Sequence, residues 1–201
     1  MLISLKNKKA QEISSIGIIG IKHGIGVTHT ALLLANYLHS RLGYRVIFIE
    51  LTNTSKILGY VNKKGCEMLG AAAYKHEGVY YIPSCTAEEA KRILQFANCP
   101  VVLDIDELND QTEAILQLCK KRMVIGSMKP WCKETEVILI KRLLKKGFDI
   151  KKMDFFAIEP NKIEKNEFYR EIQCTLGSLP YIPNPYKIKE KDTKLIKQIL
   201  E

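Results

Sequence analysis

The sequence predicts an α/β fold: a three-layer, doubly wound, mostly parallel sheet with helices on both faces. Three observations lead there. Short apolar runs alternate with longer stretches of helical period from one end of the chain to the other. The runs at 16–21, 44–51 and 100–106 are almost continuously apolar, as strands covered on both faces must be. Finally, 201 residues with 46% hydrophobic content suit one domain with a sizeable core.

Residues 1–13 read as a polar, mobile lead-in made mildly basic by Lys6, Lys8 and Lys9. The strand at 16–21 is followed by the loop Lys22-His23-Gly24-Ile25-Gly26-Val27-Thr28. A helix then places Ala31, Leu32, Leu34, Ala35 and Leu38 on one side and ends near Gly43. The second strand covers 44–51. Residues 53–78 carry short helical hints broken by glycines, and His76 reads as a surface histidine. A short strand at 79–83 precedes a helix opened by Thr86 with Glu89 three residues on, the pattern of a capping box. The run 100–106 ends in Asp104 and Asp106. Helix 111–121, strand 122–127, the Pro130-Trp131 loop and helix 133–146 follow. In that last helix the acids come early and the bases late, which suits its dipole. A strand at 153–158 leads to Asn161, and helix 189–200 closes the chain with Leu195, Ile196 and Ile199 inward.

The net charge of +9 is uneven. Residues 1–119 hold 12 Lys+Arg against 11 Asp+Glu, a net of +1; residues 120–201 hold 19 against 11, a net of +8. A basic half suits DNA, an anionic membrane or an acidic protein partner. No aromatic–basic interleaving accompanies the lysines, which favours a solvated lysine-rich surface. No apolar run approaches the ~18 residues of a membrane span, and the N-terminal apolar stretch is too short for a signal peptide. The expected location is therefore the cytoplasm. The six cysteines form no Cys-x-x-Cys pair and complete no zinc site, so they read as small buried hydrophobes.

The loop at 22–28 carries the most chemistry. Glycines let successive backbone N–H groups turn toward one anion. The helix start behind them adds unpaired N–H groups and a positive dipole end, and a hydroxyl at Thr28 can sit beside Mg²⁺. This strand–loop–helix resembles the ParA/MinD superfamily of deviant-Walker P-loop ATPases, whose loop reads Gly-Lys-Gly-Gly-x-Gly-Lys-Thr. Lys22, Gly24, Gly26 and Thr28 match that pattern; Ile21, His23 and Val27 depart from it.

The resemblance implies ATP or ADP with Mg²⁺ as cofactor, its phosphates enclosed by Lys22, His23, Gly24, Ile25, Gly26, Val27, Thr28 and His29. It implies Thr28 and Asp104 as the metal-side residues, and Asn161 and Pro183 beside the adenine, although the residues alone equally allow Asn161 as a helix N-cap. Val27 stands where relatives place the lysine that contacts the β/γ-phosphates. Glu50 and Thr52 stand where they place Asp-x-Asp. Both departures point to a degenerate site with weak nucleotide binding and little or no hydrolysis, in which Glu50 and Asp104 are remnants of the catalytic set. Losing one charged donor costs a bound anion about 1.5–3 kcal/mol. The resemblance further implies a homodimer, with Lys22 reaching the partner's phosphates and an unidentified protein partner. The implied role is positioning or assembly, as in DNA partition, division-site placement or the pilus-locus proteins TadZ and CpaE. The competing expectation is an adaptor that has lost nucleotide, in which the Ile21 or His23 side chain fills the phosphate space; an active ATPase is a third and weaker alternative.

Overall fold

β1 (Ser15–Gly20) lies inside a nine-stranded sheet of order β3-β4-β5-β2-β6-β1-β7-β8-β9. The computed structural model describes residues 14–61 and 65–201, so the lead-in expected at 1–13 lies outside the described residues. The strands are β2 (Val46–Leu51), β3 (Gly65–Met68), β4 (Ala71–His76), β5 (Val79–Ile82), β6 (Val101–Ile105), β7 (Lys121–Gly126), β8 (Asp154–Ile158) and β9 (Leu176–Leu179). From β5 to β9 in that order every pair is parallel; β3 with β4 and β4 with β5 are antiparallel. The predicted class is therefore the one observed.

Alternation within each strand divides the core. Ile16, Ile18, Val46 and Phe48 face one layer, formed by α1 (Val27–Ser40) and α6 (Glu190–Leu200). Ile19, Ile47, Ile49 and Leu103 face the other. There α2 (Ala87–Phe96), α3 (Asp110–Leu118), α4 (Lys133–Lys145) and α5 (Lys162–Ile172) pack. α1 is apolar all round rather than on one side: Thr30 through Leu38 are buried without a break.

Five expectations are corrected. The stretch read as helical hints holds the β3–β4 hairpin, with the burial of Ala71, Ala72 and Ala73 alternating in, out, in. β9 is a strand where none was expected; Gly177 lets it lie against the Phe156 ring, whose Cε1 stands 2.4 Å from where a Cβ would be. Leu195 is 45% exposed, while Ile196 and Ile199 are buried as expected. Among the cysteines, Cys85, Cys119, Cys132 and Cys174 are buried, but Cys66 is exposed on β3. Burial pushes the Cys85 and Cys119 thiols up to about 12, which makes them inert as nucleophiles. His76 is half-buried, with its ring edge-on to Tyr186.

A minority of the cations in the basic half are spent on ion pairs. Arg142 and Lys146 of the α4 end meet Glu113, Lys146 also meets Asp110, Lys121 meets Asp154, and Lys133 meets Glu171. No helix among the described residues is long and apolar enough to cross a membrane.

Candidate functional site

Sheet order places the site. The chain leaves β1 toward β2 on one side and later passes from β6 over β1 to β7 on the other. A crevice opens at the carboxyl ends of the strands where such an order reverses. The loop 21–26 crosses that crevice. Gly24 (φ +75°) and Gly26 (φ +108°) adopt left-handed backbone, and a Cβ on either would meet nothing within 4 Å. Gly26 is also the N-cap of α1, with no side chain over the helix start. A turn at 23–24 takes up one loop amide; among the described residues no other backbone N–H from Lys22 to His29 is paired with a protein acceptor, and Thr30 is the first in α1 that is, donating to the Gly26 carbonyl at 2.9 Å. A row of unspent donors beside open space is what an anion cradle consists of.

The apolar loop residues point elsewhere. Ile25 and Val27 pack against Gly20, with methyls 2.5 and 2.7 Å from where a Cβ on that glycine would lie. Ile21 is buried beneath the loop, and its N–H donates to the Ile125 carbonyl at 3.0 Å. The His23 side chain is 77% exposed, with Nδ1 3.3 Å from an Asp106 oxygen. Neither Ile21 nor His23 fills the space over the glycines.

Asp104 stands at the end of β6, in register with Glu50 on β2 and Ile18 on β1. It is 1% exposed, and neither carboxylate oxygen has a hydrogen-bond partner among the described residues. Burial pushes its carboxyl up to about 6; the neighbouring Thr28 hydroxyl pulls the other way without reaching hydrogen-bonding geometry, Glu50 adds to the rise, and Lys56 opposes it. A buried carboxylate with both oxygens unspent, beside a hydroxyl, is a hard oxygen donor set that fits a divalent cation. Glu50 is equally buried but fully used: Oε2 accepts from Ser55 Oγ at 2.6 Å and Oε1 from the Lys56 N–H at 2.8 Å. It holds the loop after β2 rather than facing the crevice. The Thr52 hydroxyl is likewise taken up locally, donating to the Thr54 carbonyl.

Three clefts surround the loop. One of about 440 Å³ lies toward β7 and β8, lined by Lys22, Gly24, Lys129, Trp131, Glu159 and Glu164. Trp131 is thus 71% exposed, at a cleft wall. A second, about 460 Å³, lies beyond Lys56 and Asp106. The third, about 190 Å³, is walled by Gly26, His29, Thr30, Ile158, Pro180 and Pro183, and so joins the helix start to the segment after β9. Of the residues expected to meet a base, Pro183 reaches this cleft and Asn161 does not. Asn161 is the N-cap of α5: its Oδ1 accepts from the Glu164 N–H at 3.0 Å, and its own N–H donates to Glu164 Oε2 at 2.7 Å. Asn161→Ala is expected to lower unfolding stability by about 1 kcal/mol in urea titrations and to leave nucleotide affinity unchanged.

Sequence reasoning missed Lys56. It follows Thr-Asn-Thr-Ser after the end of β2, a spacing with no recognisable signature, and only the fold brings its ammonium to Asp106 at 2.6 Å.

No protein-family model and no curated protein sequence matches the chain. Its fold is nevertheless similar to solved structures along almost their whole length. The septum site-determining protein MinD of Pyrococcus horikoshii OT3, complexed with Mg-ADP, is 15% identical with a TM-score of 0.67 over 93% of this chain and 94% of that one. A putative plasmid partition protein of Borrelia burgdorferi bound to AMPPNP is 15% identical with a TM-score of 0.66, covering 93% and 96%. A ParA family ATPase of Chlorobium tepidum is 13% identical with a TM-score of 0.65, covering 93% and 92%.

Proposed function

We propose that this chain is a ParA/MinD-like P-loop protein that binds ATP or ADP with Mg²⁺ weakly, hydrolyses it poorly or not at all, and uses the bound nucleotide to control its own pairing in positioning or assembly inside the cell. The observation that carries this reading is the set of loop and helix-start N–H groups between 22 and 29 left unspent apart from the turn at 23–24, with open space beside Gly24 and Gly26. The fold is one that, in the Pyrococcus and Borrelia proteins, is seen with Mg-ADP and with AMPPNP.

In this reading the loop amides and the α1 dipole hold the phosphates, and Thr28 and Asp104 hold Mg²⁺, which neutralises phosphate charge when bound. His29, Thr30 and Pro183 enclose the base in the smallest cleft. Position 27 supplies no cation, and Glu50 is committed to Ser55 and Lys56, so nothing on β2 is left to orient a water. Retention of binding with loss of turnover follows, since one missing transition-state donor alone costs about 10²–10³-fold in rate. The role implied is one of the kind played by partition, division-site or pilus-locus proteins such as TadZ and CpaE. DNA or an anionic membrane would be met through the cations of residues 120–201 that ion pairs leave over.

A second reading, a nucleotide-free adaptor, draws on one feature: Lys56 and His23 both lean on Asp106 across the mouth of the site. Light scattering separates the two. The mass should rise from 22.9 kDa toward twice that value when Mg-ATP is added. An unchanged mass together with no bound nucleotide would leave the adaptor.

A further inference from the structure

An anion cradle with valine at the helix start has no cation of its own, yet a cation stands next to this one. Lys56 arrives on the loop after β2. Its backbone N–H is fixed by the buried Glu50 at 2.8 Å, and the neighbouring Ser55 hydroxyl is fixed by the other oxygen of the same carboxylate at 2.6 Å. The lysine is therefore presented from a rigid base. Its ammonium sits 2.6 Å from Asp106 Oδ1, the same oxygen that His23 of the glycine loop approaches at 3.3 Å. Sharing one oxygen at those distances puts the ammonium within about 6 Å of His23 Nδ1, at the exposed tip of a side chain carried by the glycine loop. Lys56 is also the cation whose field reaches Asp104.

The geometry points to Lys56 as the lysine of the phosphate site, supplied by the loop after β2 in place of a lysine at position 27, with Asp106 as its resting partner. This rests on the nucleotide-binding reading above and names the residue that would make such binding effective. The pair it must leave is half-exposed, with side chains 37% and 28% accessible, and a pair of that kind holds its partners weakly. A phosphate offers more charge and a short, charge-assisted hydrogen bond in exchange. Lys22 is differently placed: it lines the cleft on the β7 side, away from Asp104. Asp106 then does two things. It parks Lys56 over the site when no nucleotide is present, and it opposes incoming phosphate by its own charge.

The test is calorimetric titration of the full chain with Mg-ATP and Mg-ADP for the wild type and for Lys56→Met, Lys56→Arg and Asp106→Asn. Lys56→Met should weaken binding about 10–100-fold, the effect of one charge-assisted hydrogen bond. Lys56→Arg should restore most of it, and Asp106→Asn should tighten binding severalfold. All three should unfold at the wild-type temperature within a few degrees, because the side chains they alter are accessible. If the wild type binds and Lys56→Met binds equally well, Lys56 is not the phosphate cation, while nucleotide binding stands. If neither the wild type nor Asp106→Asn binds, both proposals fall together.

Discussion

Asp104→Asn should make the free protein more stable at pH 8 and, at the same time, abolish stabilisation by Mg-ADP. Burial holds the Asp104 carboxyl at about 6, above its ordinary 3.8. Between those values the folded chain binds a proton that the unfolded chain has released. Stability therefore falls as pH rises from about 4 through about 6, and the full penalty is present above that range. A shift of this size corresponds to about 3 kcal/mol at most. Asparagine carries no charge to desolvate, so the variant should recover much of that at pH 8 and little at pH 4. Glu136, lifted to about 7 chiefly by its own burial and next by Glu171, adds a second decline between pH 4.5 and 7, which the variant retains. Urea unfolding at pH 4, 6 and 8, with and without Mg-ADP, reads both effects. Equal destabilisation of the variant at every pH would mean that Asp104 is an ordinary structural carboxylate.

Val27→Lys should raise the affinity for Mg-ATP about 10–100-fold, the 1.5–3 kcal/mol of a charge-assisted hydrogen bond. The Val27 side chain now packs with Ile25 against Gly20. A lysine stem can keep part of that contact while its ammonium reaches over the loop, as long side chains do when their stem is apolar. The structural cost should stay near 1 kcal/mol. The gain should be smaller in the wild-type background than in Lys56→Met, because in the latter the new lysine replaces a cation instead of adding a second one. A cradle no longer shaped for phosphate would show no gain in either background.

What the sequence made legible, and what it hid, follows from how locally each feature is encoded. β1, the glycine loop and α1 were readable because a fully buried strand and helix must be apolar whatever their surroundings, and because positive φ at Gly24 and Gly26 has a residue signature. The capping box at Thr86 was readable for the same reason: Thr86 and Glu89, three residues apart, bond each other through backbone and side chain alike. The β3–β4 hairpin was hidden because alanine favours helix, and only pairing with β3 at Ala71–Tyr74 and with β5 at Tyr74–His76 makes that segment a strand. β9 was hidden by its composition, Leu-Gly-Ser-Leu, whose strand character comes from lying beside β8. In the candidate site, Asp104 and Thr28 were visible as residue types near the end of β6 and the start of α1. That Asp104 would be stripped of every partner was not, since desolvation is a property of the packed sheet. The double use of Asn161 as cap or base contact was open in the sequence, and the Glu164 pairing shows where its side chain is spent. Lys56 was invisible because its place depends on Glu50, Ser55 and Asp106 meeting across two strands.

The central claim is that main-chain donors and one unpartnered carboxylate still form a place for a magnesium nucleotide. Calorimetric titration of the wild-type chain with ADP, first with Mg²⁺ and then with EDTA, tests it most directly. Saturable heat that shrinks at least tenfold in affinity when Mg²⁺ is removed, or when Asp104 is replaced by asparagine, is the predicted result; an absence of heat at millimolar nucleotide in the presence of Mg²⁺ would contradict it.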